Sequence, residues 1–316
     1  MREKKIFLGA FIFLLLFSSL SWGTNSNVGT TAYPFLKIGV GARAGGMGGA
    51  FVGLSDDESA LYFNPAGLLQ LKGKHFITYY NNYISDIQSG FVGYILPYSE
   101  KVILGLSINY FNYGSMEETD ELGNRLGTFS AGDLCFAFSY AKKIKPRFDM
   151  GANIKFILEN ESSSQGHSSD ALALDLGGFY QHKDELTRFG AVVHNLGFQL
   201  KGFTASHKDP LPTVIKLGIS HLLKEIPLLV AGDLSFPFDN DIYFSLGGEV
   251  TYFQPLFLRM GWTSFGENYK TDSDKDKWAG VSLGFGVNWR KYKFDYAFSS
   301  YADLGGIHRI TIAGGL

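Results

Sequence analysis

The chain has 316 residues, a formal net charge of −2 at pH 7, 18% charged residues and 16% aromatic residues. So neutral a balance excludes the basic footprint of a nucleic-acid-binding protein. Charge below the roughly 25% usual in soluble domains, with 39 Gly, 28 Phe and 17 Tyr, suits a β protein with an apolar surface better than a cytosolic enzyme.

The N-terminus reads as a leader. A basic MREKK precedes the apolar IFLGAFIFLLLFSSL, and Ser21-Trp22-Gly23 supplies small residues at the positions that determine cleavage. This predicts a secretory signal peptide over residues 1–23, cut near Gly23-Thr24. The apolar run is shorter than the ~20 residues a spanning helix needs. The single cysteine, Cys135, lies far from the leader, so no lipid-bearing Cys follows the cut. The mature chain is therefore expected outside the cytoplasm. No later segment is apolar for long enough to span a membrane as a helix, so a spanning protein would have to be a closed barrel.

The next stretch, GVGARAGGMGGAFVGLSDDESALYFNPAGL, runs from Gly39 to Leu68. Its start matches the G-x-G-x-x-G/A dinucleotide fingerprint, but no buried strand precedes it and no βαβ alternation follows, so the match lacks its physical context. Asp56, Asp57 and Glu58 form an acidic run without the alternating spacing of a calcium loop. They read as a helix start, with Ser55 as N-cap, Glu58 as its capping-box partner and about two turns ending at Asn64 before Pro65.

From His75 onward the period is two. RFDMGANIKFILEN sets Phe148, Met150, Ile154 and Phe156 against Asp149, Asn153 and Lys155, and DLCFAFSY and WAGVSLGFGVNWR repeat the alternation. Strict alternation predicts strands. About fourteen follow one another, near 74–82, 87–97, 101–113, 132–141, 147–158, 170–181, 187–196, 212–222, 227–236, 241–252, 255–263, 278–289, 291–300 and 308–315. Their connections run alternately short and long. The short set includes Tyr98-Ser99-Glu100 and the Arg290–Lys291 junction. The long polar set is Gly114–Ala131, Asn160–Ser169, Gly197–Leu211 and Ser264–Asp276. An even strand number with loops sorted by side predicts an all-β fold, a transmembrane antiparallel β-barrel, rather than a β-sandwich. The Leu/Phe/Val/Tyr face would meet outer-membrane lipid, with Tyr79, Tyr80, Tyr110, Tyr140, Tyr252, Trp262 and Trp289 as an aromatic girdle.

Seven histidines are scattered without metal-ligand spacing, and no nucleophile elbow occurs, so neither metal, cofactor nor catalysis is expected. Asp149, Asp175, Asp233, Glu249 and Asp295 fall on the lumen face, where they are expected to pair with Lys155, Lys216, Arg259 and Arg290.

Gly41-Ala42-Arg43-Ala44, Gly46-Met47-Gly48-Gly49-Ala50-Phe51, Asp56-Asp57 and Asn64-Pro65-Ala66-Gly67-Leu68 together resemble the N-terminal signature of the PorV/PorQ family of outer-membrane proteins, related in fold to the FadL fatty-acid transporters. Phe63 stands where that family often has Trp. Gly306–Ile312 resembles its closing strand, although the last residues, Gly314-Gly315-Leu316, lack the terminal aromatic common in barrels. The resemblance implies a FadL-like barrel over 73–316, with residues 24–72 as a hatch carrying a short helix and plugging the lumen. Asn64–Gly67 would be the turn that returns the hatch to the first strand. It implies a conduit for hydrophobic small molecules such as long-chain fatty acids. The alternatives are a type IX secretion accessory that binds cargo or machinery, or a barrel with no dedicated substrate. Ile103, Phe111, Ile157, Phe179 and Phe257 lie on the polar face and would either line an apolar lumen pocket or pack the hatch.

Overall fold

The computed structural model describes residues 25–163, 166–204 and 207–316; the leader expected over 1–23 lies outside them. Fourteen strands form one closed sheet in which every strand is antiparallel to its neighbours and β14 returns to β1. They are β1 His75–Asn82, β2 Gln88–Ser99, β3 Val102–Thr119, β4 Arg125–Lys145, β5 Phe148–Glu161, β6 His167–Gln181, β7 Thr187–Lys201, β8 Val214–Leu223, β9 Leu228–Pro237, β10 Tyr243–Val250, β11 Leu256–Thr263, β12 Val281–Trp289, β13 Tyr292–Ser300 and β14 Gly306–Gly315. Each corresponds to one of the alternating segments of the sequence.

Alternation becomes a two-sided wall. On β3 the side chains of Leu106, Ile108 and Tyr110 are exposed on the outside, while Gly105, Ser107 and Asn109 are buried inside. An outward apolar row on every strand is what a hydrocarbon solvent selects, since the closed ladder already satisfies each backbone polar group.

One expected loop is largely strand, and two more are shortened by strand. β3 runs on to Thr119 and β4 begins at Arg125, with Ser115 opposite Ser130 and Glu117 opposite Thr128. β5, β6 and β7 also extend into the stretches read as polar connections. Beyond the hydrocarbon both faces of a strand meet water, so the ladder continues while the alternation fades. The wall β3–β7 is consequently taller at the end bearing the long connections, the end that faces outward in this class.

The girdle is corrected at two positions. Tyr79 is buried and its hydroxyl donates to the carbonyl of Gly39, because two successive strand residues cannot both face lipid. Trp262 is half-buried, with its indole donating to the carbonyl of Ala279. Tyr80, Tyr110, Tyr140, Tyr252 and Trp289 are exposed.

The chain from Asn25 to Lys74 precedes β1 and fills the lumen. It contains two short helices, α1 Ala42–Gly46 and α2 Ala60–Phe63, followed by a 3-10 segment Pro65–Gln70. The two-turn helix expected from Ser55 is a single turn. Ser55 has φ 35°, and its hydroxyl donates to the carbonyls of Phe51 and Val52 instead of capping. Asp57 takes the local role by accepting from the backbone and hydroxyl of Ser59. Glu58 is no capping partner. It pairs with His75 and Lys293.

Candidate functional site

Two constructions occupy the lumen: the seat of the plug, and a cavity above it. The seat begins with Arg43 on α1. Its Nε and Nη2 bind the Glu249 carboxylate of β10 at 2.8 and 2.9 Å. Its Nη1 reaches Asp56 at 2.5 Å and Asp57 at 3.1 Å. Arg188 on β7 closes on the other oxygen of Asp56 at 2.8 Å. Arg259 on β11 bridges Glu249 at 2.6 Å and Asp295 at 2.5 Å. Burial works against the charged form of Asp56, but Arg43 and Arg188 outweigh it and hold its carboxyl below the usual range. The guanidinium of Arg43 also lies 5.5 Å from the centre of the Phe51 ring.

The remaining signature residues fasten the plug backbone to the wall. The Ala42 amide donates to Thr311 at 2.8 Å, and the amides of Phe51 and Val52 both donate to Asp233 at 2.8 Å. Asn64 caps the 3-10 segment by accepting from the Ala66 amide, and its amide group donates to the carbonyls of Val52 and Gly178. Gly67 is tight against Ser55, since a Cβ there would lie 2.3 Å from the Ser55 carbonyl oxygen. Gly48, at φ +66°, leaves no room for a side chain beside the Trp262 backbone. Gly46 and Met47 rest on Gly284 and Gly247 of the wall, Gly41 has φ +88°, and Gly49 borders the cavity.

The glycines opposite the plug carried no signal in the sequence as a set. Gly151, Gly190, Gly218, Gly247 and Gly261, on five different strands, each meet plug backbone where a Cβ would stand. Of the acids expected to pair, Asp175 meets Lys155 at 2.7 Å, while Asp233 serves backbone amides. Arg290 is not a lumen partner. It sits in the β12–β13 turn over Trp289. Lys216 lies over the Tyr243 ring.

Between the plug and the outer end is a cavity of about 460 Å³. Phe35, Tyr62, Tyr83, Phe111, Tyr269 and Tyr301 form much of its lining, and Lys37, Lys155, His194, Lys216 and Arg309 are its basic members. Tyr269 and Tyr301 stack at 4.2 Å, and Tyr83 meets Phe111 edge-on at 5.8 Å. Of the five lumen apolars, Phe111 lines this cavity. Ile103 packs with Leu61 and Leu68 of the plug, and Ile157 with Tyr33 and Phe35. Phe179 is buried apart from these clusters, and Phe257 is half-buried beneath Arg259. A strap, 25–37, crosses the outer end. Asn25 bonds Asp241 and Asn240, Thr31 and Lys37 both bind Asp239, and the Ala32 amide donates to the carbonyl of Pro210.

A closed fourteen-stranded barrel around an N-terminal plug is the architecture of the FadL-like outer-membrane proteins, and three solved structures share it. The Pseudomonas putida toluene transporter TodX aligns at TM-score 0.61 and 14% identity over 87% of this chain and 96% of its own. A Pseudomonas aeruginosa FadL homologue aligns at TM-score 0.59 and 11% identity over 88% and 98%. The CymD monoaromatic hydrocarbon channel aligns at TM-score 0.57 and 15% identity over 87% and 96%. No curated protein matches by sequence. The family described as "Type IX secretion system protein PorV" matches residues 22–225, and the chain belongs to that family.

Proposed function

We propose that this outer-membrane barrel is a conduit for hydrophobic small molecules, long-chain fatty acids among them, which rest in the cavity and pass when the plug shifts. The observation that carries the reading is the aromatic cavity of about 460 Å³ held between strap and plug. That volume suits a drug-sized ligand, and a largely apolar lining with few polar groups is the usual form of such sites. Barrels of the same fold are described as a toluene transporter and a monoaromatic hydrocarbon channel. On this reading residues 24–72 are the hatch, 73–316 the barrel, and 1–23 the leader. Uptake of labelled oleate into liposomes carrying the protein tests it. Uptake should exceed that of empty liposomes and fall when Gly48→Val wedges the plug against Trp262. Equal uptake with and without protein would sink it.

A second reading is favoured by the family description: a type IX secretion accessory that binds cargo or machinery at its outer connections. It predicts that cargo with the system's C-terminal signal co-purifies with the barrel, and that trimming the β3–β4 tip at 120–124 weakens the capture. A host without that machinery would rule it out.

A further inference from the structure

Arg309 is a buried cation on the cavity wall without a counter-charge. Arg309 points inward from β14 and is 6% exposed. Its Nη1 donates to the Ser299 hydroxyl at 2.6 Å, and the phenols of Tyr79 and Tyr301 neighbour the guanidinium. Its Nε, buried, has no hydrogen-bond partner. Among the described residues no carboxylate pairs with Arg309, whereas Arg43, Arg188 and Arg259 each hold at least one. A buried guanidinium left without an anion is strongly unfavourable, and a ligand that brings the anion removes that penalty.

The surroundings are shaped around this side chain. A Cβ on Gly45 of α1 would lie 2.8 Å from the Arg309 Cδ, so the plug leaves room for the arginine stem. Ser282 and Ser299, their hydroxyls 2.8 Å apart, line the cavity beside it and add donors. The same lining carries the aromatic rings of Tyr269, Tyr301, Tyr83 and Phe111. The cavity thus sets a cation without an anionic partner beside an aromatic wall.

We propose that the cavity selects amphiphiles with a single anionic head, a carboxylate or a phosphate ester, and that Arg309 binds that head while the apolar body lies along the aromatic lining. The proposal rests on the cavity being a ligand site and adds to it a charge, an orientation and a residue. The planar guanidinium fork matches either oxyanion, and charge-assisted bonds of this kind are the stronger ones.

Calorimetric binding of laurate, dodecyl phosphate and 1-dodecanol to the barrel in nanodiscs of neutral lipid tests it, at about pH 8 where the carboxylate is ionised. At least one anion should bind about tenfold tighter than the alcohol, the factor one charge-assisted bond supplies. The better of the two identifies the head. Arg309→Met should lower anion binding to the level of the alcohol and leave the alcohol unchanged. Lys216→Met, at the other partner-poor cation of the lining, should keep the preference. Gly45→Ala, which presses on the arginine stem, should reduce it, so the outcome does not depend on one variant folding. Equal binding of anions and alcohol, or a preference that survives Arg309→Met or vanishes in Lys216→Met, would overturn the proposal while leaving the cavity a ligand site. If none of the three binds, the cavity reading itself fails.

Discussion

Arg43 joins parts of the chain that the sequence keeps far apart. Its Glu249 partner is 206 residues away, and Asp56 is shared with Arg188. Removing the guanidinium leaves Glu249, Asp56 and Asp57 facing one another with less than their full compensation. Breaking a buried pair from one side costs about 3–5 kcal/mol. Arg43→Met should therefore lower the temperature at which the barrel loses its compact gel mobility, and Arg43→Lys, which cannot bind Glu249 through a fork, should fall between. Acid should act in the same direction. Asp56 is held below the usual carboxylate range, so its contribution is fully present above the unfolded-state value near 4 and lost as pH falls through its lower folded value. Protease accessibility of the plug should rise on acidification in the wild type, and Asp56→Asn should blunt that rise. At this scale the sequence showed Arg43, Asp56 and Asp57 as parts of one signature. It placed Glu249 on the lumen face and paired it with cations such as Arg259, but it could not show that Arg43 reaches Glu249 or that Arg188 shares Asp56, because partners across a lumen share no local spacing. Glu58 was misassigned for a related reason: a capping box presumes an extended Ser55, and Ser55 takes φ 35° instead.

The strands were legible because lipid on one side and a filled lumen on the other impose a strict period of two. What alternation does not reveal is which inward position faces plug backbone. Gly190 and Gly178 show the difference. Gly190 on β7 faces inward, where a Cβ would lie 2.1 Å from the Val52 carbonyl oxygen. Gly178 on β6 has nothing nearer to its Cβ position than the Phe148 ring at 3.7 Å. Gly190→Ala should destabilise by about 1–3 kcal/mol through overpacking against backbone that cannot rotate away. Gly178→Ala should be neutral or slightly stabilising, since glycine is a weak strand residue. Thermal melts of the two variants check the pair, and equal melts would mean that the plug yields at Val52. The same reasoning explains the extended β3–β7 wall, which was hidden wherever both strand faces are wet.

Across the whole molecule the cavity is bounded on two sides, by elements of unlike strength. Below it the plug is fixed by buried ion pairs and by backbone set against wall glycines. Above it the strap is held by hydrogen bonds to the β9–β10 connection, two of them exposed, and by Tyr33, Phe35 and Leu36 packed into the wall. Segments with few buried apolar contacts and solvent-exposed hydrogen bonds open at the lowest free energy. Residues 25–31 of the strap are mostly exposed and should thus open more often than the plug, whereas Tyr33, Phe35 and Leu36 hold the rest of the strap in the wall, so that ligand enters from outside without a pore. Asp239 is the place to separate the two, because it accepts from Thr31 and pairs with Lys37 at the strap and touches nothing in the plug seat. Asp239→Ala should speed ligand entry several-fold in stopped-flow binding, with single-channel conductance in planar bilayers remaining near zero. Arg43→Met should do the reverse, raising conductance with little change in entry rate. No motif in the sequence links Asn25 or Thr31 to this connection, so the upper closure is visible only in the folded chain. Conductance rising in Asp239→Ala would mean that strap and plug move as one body, and ligand binding at the mouth would then itself be the step that opens the barrel.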